Sequence, residues 1–227
     1  MKHFPLLAAF CILSAAHLTA VLFQWEPGVY LTKPLLLSIL ATWFFLQTKN
    51  SSSKFSRLIL TGLVCSIAGD IFLMFNKENF FLLGLGSFLL THLSYIAAFS
   101  LYPSFKNGAV RQQPLLALPL LLFLPLMSWY LWNDLPIPFQ VPVLAYSSAL
   151  TLMALSSLNM SRRVAKLAAM LLLWGSVLFV LSDSMIAVEK FKTTGLPPLF
   201  MRFCIMSTYL TGQYLLAKGS VMAKQEI

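Results

Sequence analysis

Residues 167–188 read LAAMLLLWGSVLFVLSDSMIAV, and Asp183 is the sole ionisable side chain among them. An α-helix rises ~1.5 Å per residue, so such a run covers ~30 Å, the thickness of the hydrocarbon core of a bilayer. Hydrocarbon offers no water to backbone N–H and C=O groups, and a continuous helix satisfies its own. The stretch therefore reads as a membrane-spanning helix. It also holds one carboxyl that such a helix should not tolerate.

Working outward, seven further apolar runs have the length of a span: roughly 4–23, 29–46, 57–75, 80–101, 113–132, 139–158 and 199–217, with the first run extending naturally to 165–188. Short segments rich in turn residues join them: Glu26-Pro27-Gly28, Asn50-Ser51-Ser52-Ser53, Asn107-Gly108, Asn133-Asp134 and Gly195-Leu196-Pro197-Pro198. No connection is long enough for a second domain. The prediction is an all-α membrane protein, residues 1–227 forming a single domain of eight transmembrane helices.

Composition agrees. The chain is 59% hydrophobic and 10% charged, where a soluble domain carries about 25% charged residues. A soluble fold of this length could not hide that much apolar surface. The net charge of +9 invites a nucleic-acid reading, but the cations stand singly or in small groups between apolar runs, as charges flanking spans do. Nucleic acid is excluded as a partner and membrane lipid is expected. Cys11, Cys65 and Cys204 lie inside apolar runs without metal-motif spacing, and the expectation is core packing. The first run continues through Val21, Leu22 and Phe23, which favours an uncleaved helix over a signal peptide.

Lys and Arg set the orientation. With the N-terminus inside, the cytoplasmic set is Lys2, Lys49, Lys54, Arg57, Lys106, Arg111, Arg162, Arg163, Lys166, Lys218 and Lys224, against Lys77, Lys190 and Lys192 outside. Eleven against three predicts a multi-pass protein of a bacterial inner or cell membrane with both termini cytoplasmic. The two halves also echo each other. The third run carries Gly69-Asp70, followed by Phe80 and Gly84-Leu85; the seventh carries Ser182-Asp183, followed by Phe191 and Gly195-Leu196. That spacing suggests a 4+4 parallel repeat.

Of seven acidic residues, only Asp70 and Asp183 lie well within spans. An Asp near the centre of a span costs ~2.5–3.5 kcal/mol on insertion scales, so it faces a bundle interior or wet cavity and marks a functional site. The bland alternative is a helix–helix hydrogen bond. Gly84, Phe88, Thr91, His92 and Tyr95 recur at three- and four-residue steps and form one stripe on the fourth helix. Arg202, Met206, Tyr209 and Gln213 do the same on the eighth. Lys33 and Arg202 fall near the outer ends of their helices, where they either snorkel to the interface or make a cationic mouth for a phosphate head group.

This ordered set resembles the YhhN family, whose members include lysoplasmalogenases. The resemblance rests on Lys33-Pro34; Gly69-Asp70, Phe81, Gly84-Leu85, Phe88, His92 and Tyr95; and Gly175, Phe179, Ser182-Asp183, Phe191, Tyr209 and Gln213, with Tyr146 added from the sixth helix. It implies hydrolysis of the vinyl-ether bond of a lysoplasmalogen, a lysophospholipid, to a fatty aldehyde and glycerophosphocholine or glycerophosphoethanolamine. The expected catalytic residues are Asp70, Asp183 and His92, and the expected substrate-binding ones are Lys33, Tyr95, Tyr146, Arg202, Tyr209 and Gln213, with no cofactor or metal expected. Vinyl ethers hydrolyse by slow protonation of the β-carbon. One neutral carboxyl must therefore give a proton, and one carboxylate should stabilise the resulting cation or activate water, a division like that of glycosidases.

Three rival readings share some of these residues. Intramembrane Asp and His also build proton-coupled transporters. An intramembrane aspartyl protease needs Gly-x-Gly-Asp, and Ile67 stands where the first Gly belongs. A zinc hydrolase could recruit His17, His92 and an Asp, but no ligand spacing supports it. For the orientation, cysteines introduced at Ser52 and Asn133 should behave oppositely toward an impermeant thiol reagent in intact cells. Residue 133 should label and residue 52 should stay silent; labelling at 52 alone reverses the orientation.

Overall fold

A computed structural model describes residues 4–49, 53–75, 78–101 and 107–224. Lys2, Lys77, Lys106, Glu226 and the Asn50-Ser51-Ser52 turn lie outside the described residues. Helices α1 (Phe4–Leu22), α2 (Glu26–Thr48), α3 (Lys54–Phe72), α4 (Glu78–Ser100), α5 (Ala109–Gln112), α6 (Leu118–Leu131), α7 (Ile137–Asn159), α8 (Lys166–Phe191) and α9 (Pro198–Lys224) follow in order, with no strand among the described residues. Short 3₁₀ turns at Pro114–Ala117 and Trp132–Asp134 extend α6 at both ends.

Seven helical segments are long and apolar enough to cross a membrane: α1 to α4, Pro114–Asp134, Ile137–Arg162 and α8. These match seven of the eight expected runs closely. The eighth forms α9, which at 27 residues is long enough, but Arg202, Gln213 and Lys218 make it too polar to be counted with the others. A helix buried along much of its length by its own neighbours need not be apolar all round. α9 buries Met201, Ile205, Met206, Tyr209, Gln213, Leu216 and Ser220 among others.

The chain divides into two compact units, Met1–Ala98 and Phe99–Ile227. In the first, α3 and α4 pack antiparallel with a regular register. The Tyr95 ring lies where a Cβ on Gly62 would be, Phe88 covers Gly69, and Leu73 covers Gly84. Between these, the Thr91 hydroxyl donates to the Gly62 carbonyl at 3.0 Å and lies 3.0 Å from Ser66 Oγ. Phe80 closes the turn against Phe75, ring centroids 4.8 Å apart. Tyr30 Oη donates to the Met74 carbonyl at 3.1 Å, which fastens the start of α2 to the end of α3.

In the second unit, α8 and α9 touch backbone to backbone. A Cβ on Gly175 would meet Leu216 N at 2.8 Å and Gly212 O at 2.9 Å; one on Gly212 would meet Gly175 O at 2.9 Å. Small residues at such crossings let helices approach without any hydrophobic drive between them. Phe139 of α7 meets Phe191 of α8 at 5.3 Å. The segment around α6 buries little of its surface. Its far end is fastened by Lys192, which donates to Asp134 Oδ2 at 2.6 Å and to the Tyr130 carbonyl at 3.1 Å. That hydrogen bond holds the Lys192 ammonium above the usual lysine range.

Two expectations are corrected. Glu26-Pro27-Gly28 is not a connection but the first turn of α2. Pro fits there because the first helical N–H groups have no partner to lose. The actual turn falls at Phe23–Trp25, where Gln24 takes φ 54° and Trp25 N donates to the Ala20 carbonyl at 2.9 Å, a left-handed helix end supplied by a residue other than Gly. Nor are the cysteines core residues: Cys11 is exposed, and Cys65 and Cys204 are partly so. An outward thiol is weakly polar and belongs in lipid as readily as in a core.

The glycine crossing makes a test. Adding a methyl at Gly175 presses on backbone atoms that cannot swing away, and overpacking costs ~1–3 kcal/mol. Gly175→Ala should therefore lower the Tm in detergent by several degrees, at roughly 2–4 °C per kcal/mol for this size. Gly86→Ala, with no atom within 4 Å of the new carbon, should leave it unchanged or raised. Equal Tm values for the two variants would deny the close crossing.

Candidate active site

Each unit carries a polar seam between its last two long helices, with one buried Asp near the end of the earlier helix. In the first unit the seam follows from the register of α3 on α4. Residues 73, 69, 66 and 62 on α3 meet 84, 88, 91 and 95 on α4. The stripe read from the sequence therefore faces α3, and Phe88, Thr91, His92 and Tyr95 are all buried. Asp70, 3% exposed, stands level with Ser87 and Phe88. His92 stands level with Cys65, roughly 7 Å deeper at ~1.5 Å rise per residue. Lys33 is half-buried on α2, one turn after Tyr30, whose hydroxyl reaches Met74 one turn beyond Asp70.

In the second unit Asp183, 5% exposed, accepts a hydrogen bond from the Tyr146 hydroxyl of α7. The partners are 37 residues apart in sequence, so no local pattern announces the pair. Tyr146 enters the site as the group that holds a carboxyl. Beside it, Ser182 Oγ donates to the Ile205 carbonyl at 3.1 Å, placing Asp183 level with Ile205 of α9. From there the polar residues of α9 form a ladder. Arg202, exposed, lies about one turn toward the helix start. Tyr209, 3% exposed, lies one turn deeper and meets Phe179 edge-on with ring centroids 5.5 Å apart. Gln213, fully buried, lies one turn deeper again.

This geometry answers the bland alternative in part. Tyr146–Asp183 is a helix–helix hydrogen bond. The same bond occupies one side of the Asp183 carboxyl with a hydroxyl donor, which fixes its direction. Among the polar contacts that sequence reasoning missed, His17 Nδ1 lies 2.7 Å from Thr32 Oγ1, joining α1 to α2. Its only signal was a His and a Thr on adjoining runs.

The YhhN family profile matches residues 28–220 of this sequence. The chain belongs to the YhhN family. Its curated relatives include the lysoplasmalogenase TMEM86B of Sus scrofa, 31% identical over 181 residues, covering 80% of this chain and 71% of the relative. The TMEM86B lysoplasmalogenase of Rattus norvegicus is 31% identical over 198 residues, with 87% and 74% covered. The lysoplasmalogenase TMEM86A of Homo sapiens is 28% identical over 198 residues, with 84% and 78% covered. No solved structure matches the chain. The YhhN match takes in Asp70, His92, Tyr146, Asp183 and Tyr209, and it leaves α1 outside.

The Tyr146–Asp183 bond can be weighed by itself. Hydrogen bonds between spans contribute on the order of 1 kcal/mol. Tyr146→Phe should lower the Tm by roughly 2–4 °C, and the same change in an Asp183→Leu background should lower it far less, because the acceptor is already gone. Additive losses in that double-mutant cycle would show that the pair does not couple.

Proposed function

We propose that this protein is a membrane-embedded hydrolase of lysoplasmalogens, cleaving the vinyl-ether bond with water to release a fatty aldehyde and a glycerophosphocholine or glycerophosphoethanolamine. The observation that carries the reading is the buried Asp183 carboxyl held by Tyr146, in a chain whose relatives are named lysoplasmalogenases. Asp70 is the second carboxyl. One of the two, neutral, gives its proton to the β-carbon of the vinyl ether; the double bond supplies the electron pair, and an oxocarbenium ion forms at the α-carbon. The other, ionised, stabilises that cation and takes a proton from the water that adds to it. The hemiacetal then collapses to aldehyde and alcohol, and the proton count closes. A pair of carboxyls of which one is neutral and the other ionised divides the two roles.

Supporting roles follow from the ladder. Arg202 lies about one turn from the level of Asp183, roughly 5 Å of rise. The phosphate and the vinyl ether of the substrate are separated by a three-carbon glycerol, a similar span. Arg202 and Lys33 are read as phosphate contacts, Tyr95, Tyr209 and Gln213 as wall and donor groups, and His92 as an aid to water. We also read α9 as an eighth span, with both termini cytoplasmic. A 4+4 repeat is supported by a buried Asp near the end of the third long helix of each unit, with a neighbouring Ser bonded to the helix that follows.

The test is aldehyde release from a lysoplasmalogen by purified, monodisperse protein in detergent, where no gradient exists to drive a transporter. Asp70→Asn and Asp183→Asn should each nearly abolish it, since general acid catalysis alone typically supplies 10²–10⁴-fold. The double variant should be little worse than either, because the two act as a unit. His92→Ala should cost less. Near-normal activity in either single Asp variant overturns the two-carboxyl mechanism, and no release by folded wild-type protein overturns the function.

A further inference from the structure

His17 sits on α1, outside the residues shared with the family, and none of its ring is exposed. Its Nδ1 lies 2.7 Å from Thr32 Oγ1. The Thr32 hydroxyl has one proton, and its closest acceptor is the Gly28 carbonyl at 2.6 Å. Thr32 is thus the acceptor toward His17, and the proton between them belongs to Nδ1. A neutral imidazole with its proton on Nδ1 presents a bare lone pair at Nε2. Among the described residues that Nε2 atom is buried and has no hydrogen-bond partner.

An orphaned acceptor inside a membrane protein is costly, and buried polar groups without partners call for an explanation. Thr32 and Gly28 hold the ring in the one tautomer that accepts at Nε2, so the site is arranged for a donor. Its surroundings narrow the donor's chemistry. Lys33 follows Thr32 directly on α2, and a cation so near disfavours a second ammonium there. A neutral hydroxyl sheds its water more cheaply and can donate to Nε2. Tyr30, three residues before Lys33, is bonded to Met74, one turn past Asp70. His17, Thr32, Lys33 and Asp70 therefore share one end of the same unit.

We propose that His17 Nε2 accepts the free sn-2 hydroxyl of the lysolipid and is a specificity-determining residue for lyso over diacyl-type substrates. This rests on the lysoplasmalogen reading. The sn-2 hydroxyl is one carbon from the phosphate-bearing position, which matches an acceptor beside Lys33. A site built to bond a hydroxyl rejects an analogue lacking it, because the buried acceptor is then stranded. A lipid esterified at sn-2 has no such proton and adds bulk besides.

Binding of uncleavable lipids tests this apart from catalysis. The probes are a saturated 1-O-alkyl-2-hydroxy-glycerophosphoethanolamine, its 2-deoxy analogue, and the phosphocholine counterpart of the first, titrated into the intact protein in nanodiscs. Wild-type protein should bind the 2-hydroxy lipid at least tenfold more tightly than the 2-deoxy one. His17→Leu should weaken the 2-hydroxy lipid about tenfold, leave the 2-deoxy lipid unchanged and bring the ratio near one. His17→Phe carries the same readout should the Leu variant not fold, and His17→Gln, whose carbonyl can accept, should restore part of the preference. An unchanged ratio, or equal loss for both lipids, overturns the proposal. So does a variant that alters only the ethanolamine-to-choline ratio, which would assign Nε2 to an ammonium. Aldehyde release is measured separately: a hydroxyl preference without cleavage overturns the hydrolase reading and leaves this acceptor standing.

Discussion

Hydrocarbon does not hydrogen-bond. A polar group that the chain carries into the bilayer is costly unless a partner reaches it, and this constraint orders the rest of the structure. Backbone groups meet it by helix formation throughout the spans. Side chains meet it by seams: Thr91 on Gly62 and Ser66 in the first unit, Tyr146 on Asp183 and Ser182 on Ile205 in the second. Many remaining hydroxyls fold back on their own helix, as Ser14, Thr42 and Ser176 do on the carbonyl four residues earlier. Polar atoms that reach across helices are therefore informative about where the interior lies.

Glycine makes those seams possible. Association in lipid gains nothing from hiding apolar surface, so helices have to approach closely enough for dispersion and short polar contacts to count. Gly62 and Gly69 give the Tyr95 and Phe88 rings a bed on α3, and Gly175 with Gly212 brings α8 and α9 into backbone contact. The seam residues then stand opposite their partners at fixed steps. A carboxyl on such a seam is oriented by rigid helices rather than by loops, as the proposed delivery of a proton to one carbon requires.

The spans were readable because length and apolarity are physically sufficient to define them. The interior face of α4 was readable because Gly84, Phe88, Thr91, His92 and Tyr95 keep helical steps. Asp70 and Asp183 stood out by cost alone. Other features had no such signal. Glu26-Pro27-Gly28 looks like a turn because Pro and Gly break helices in general, yet Pro opens them as well. The meeting of Tyr146 with Asp183, and of His17 with Thr32, depends on how separate helices pack, and no periodicity within one helix encodes that. The run at 199–217 was legible as a long helix, although Arg202, Gln213 and Lys218 make α9 more polar than the other long helices.

α9 carries Arg202, Gln213 and Lys218, and it lies glycine to glycine on α8. Its folding is therefore tied to the order of synthesis. α8 leaves the ribosome first, and the close glycine crossing lets α9 pack onto a surface already in place. Premature termination after α8 would leave Gly175 and Ser182 without the α9 surface they pack on. A nascent chain cut short there presents the kind of polar membrane surface that quality-control proteases recognise.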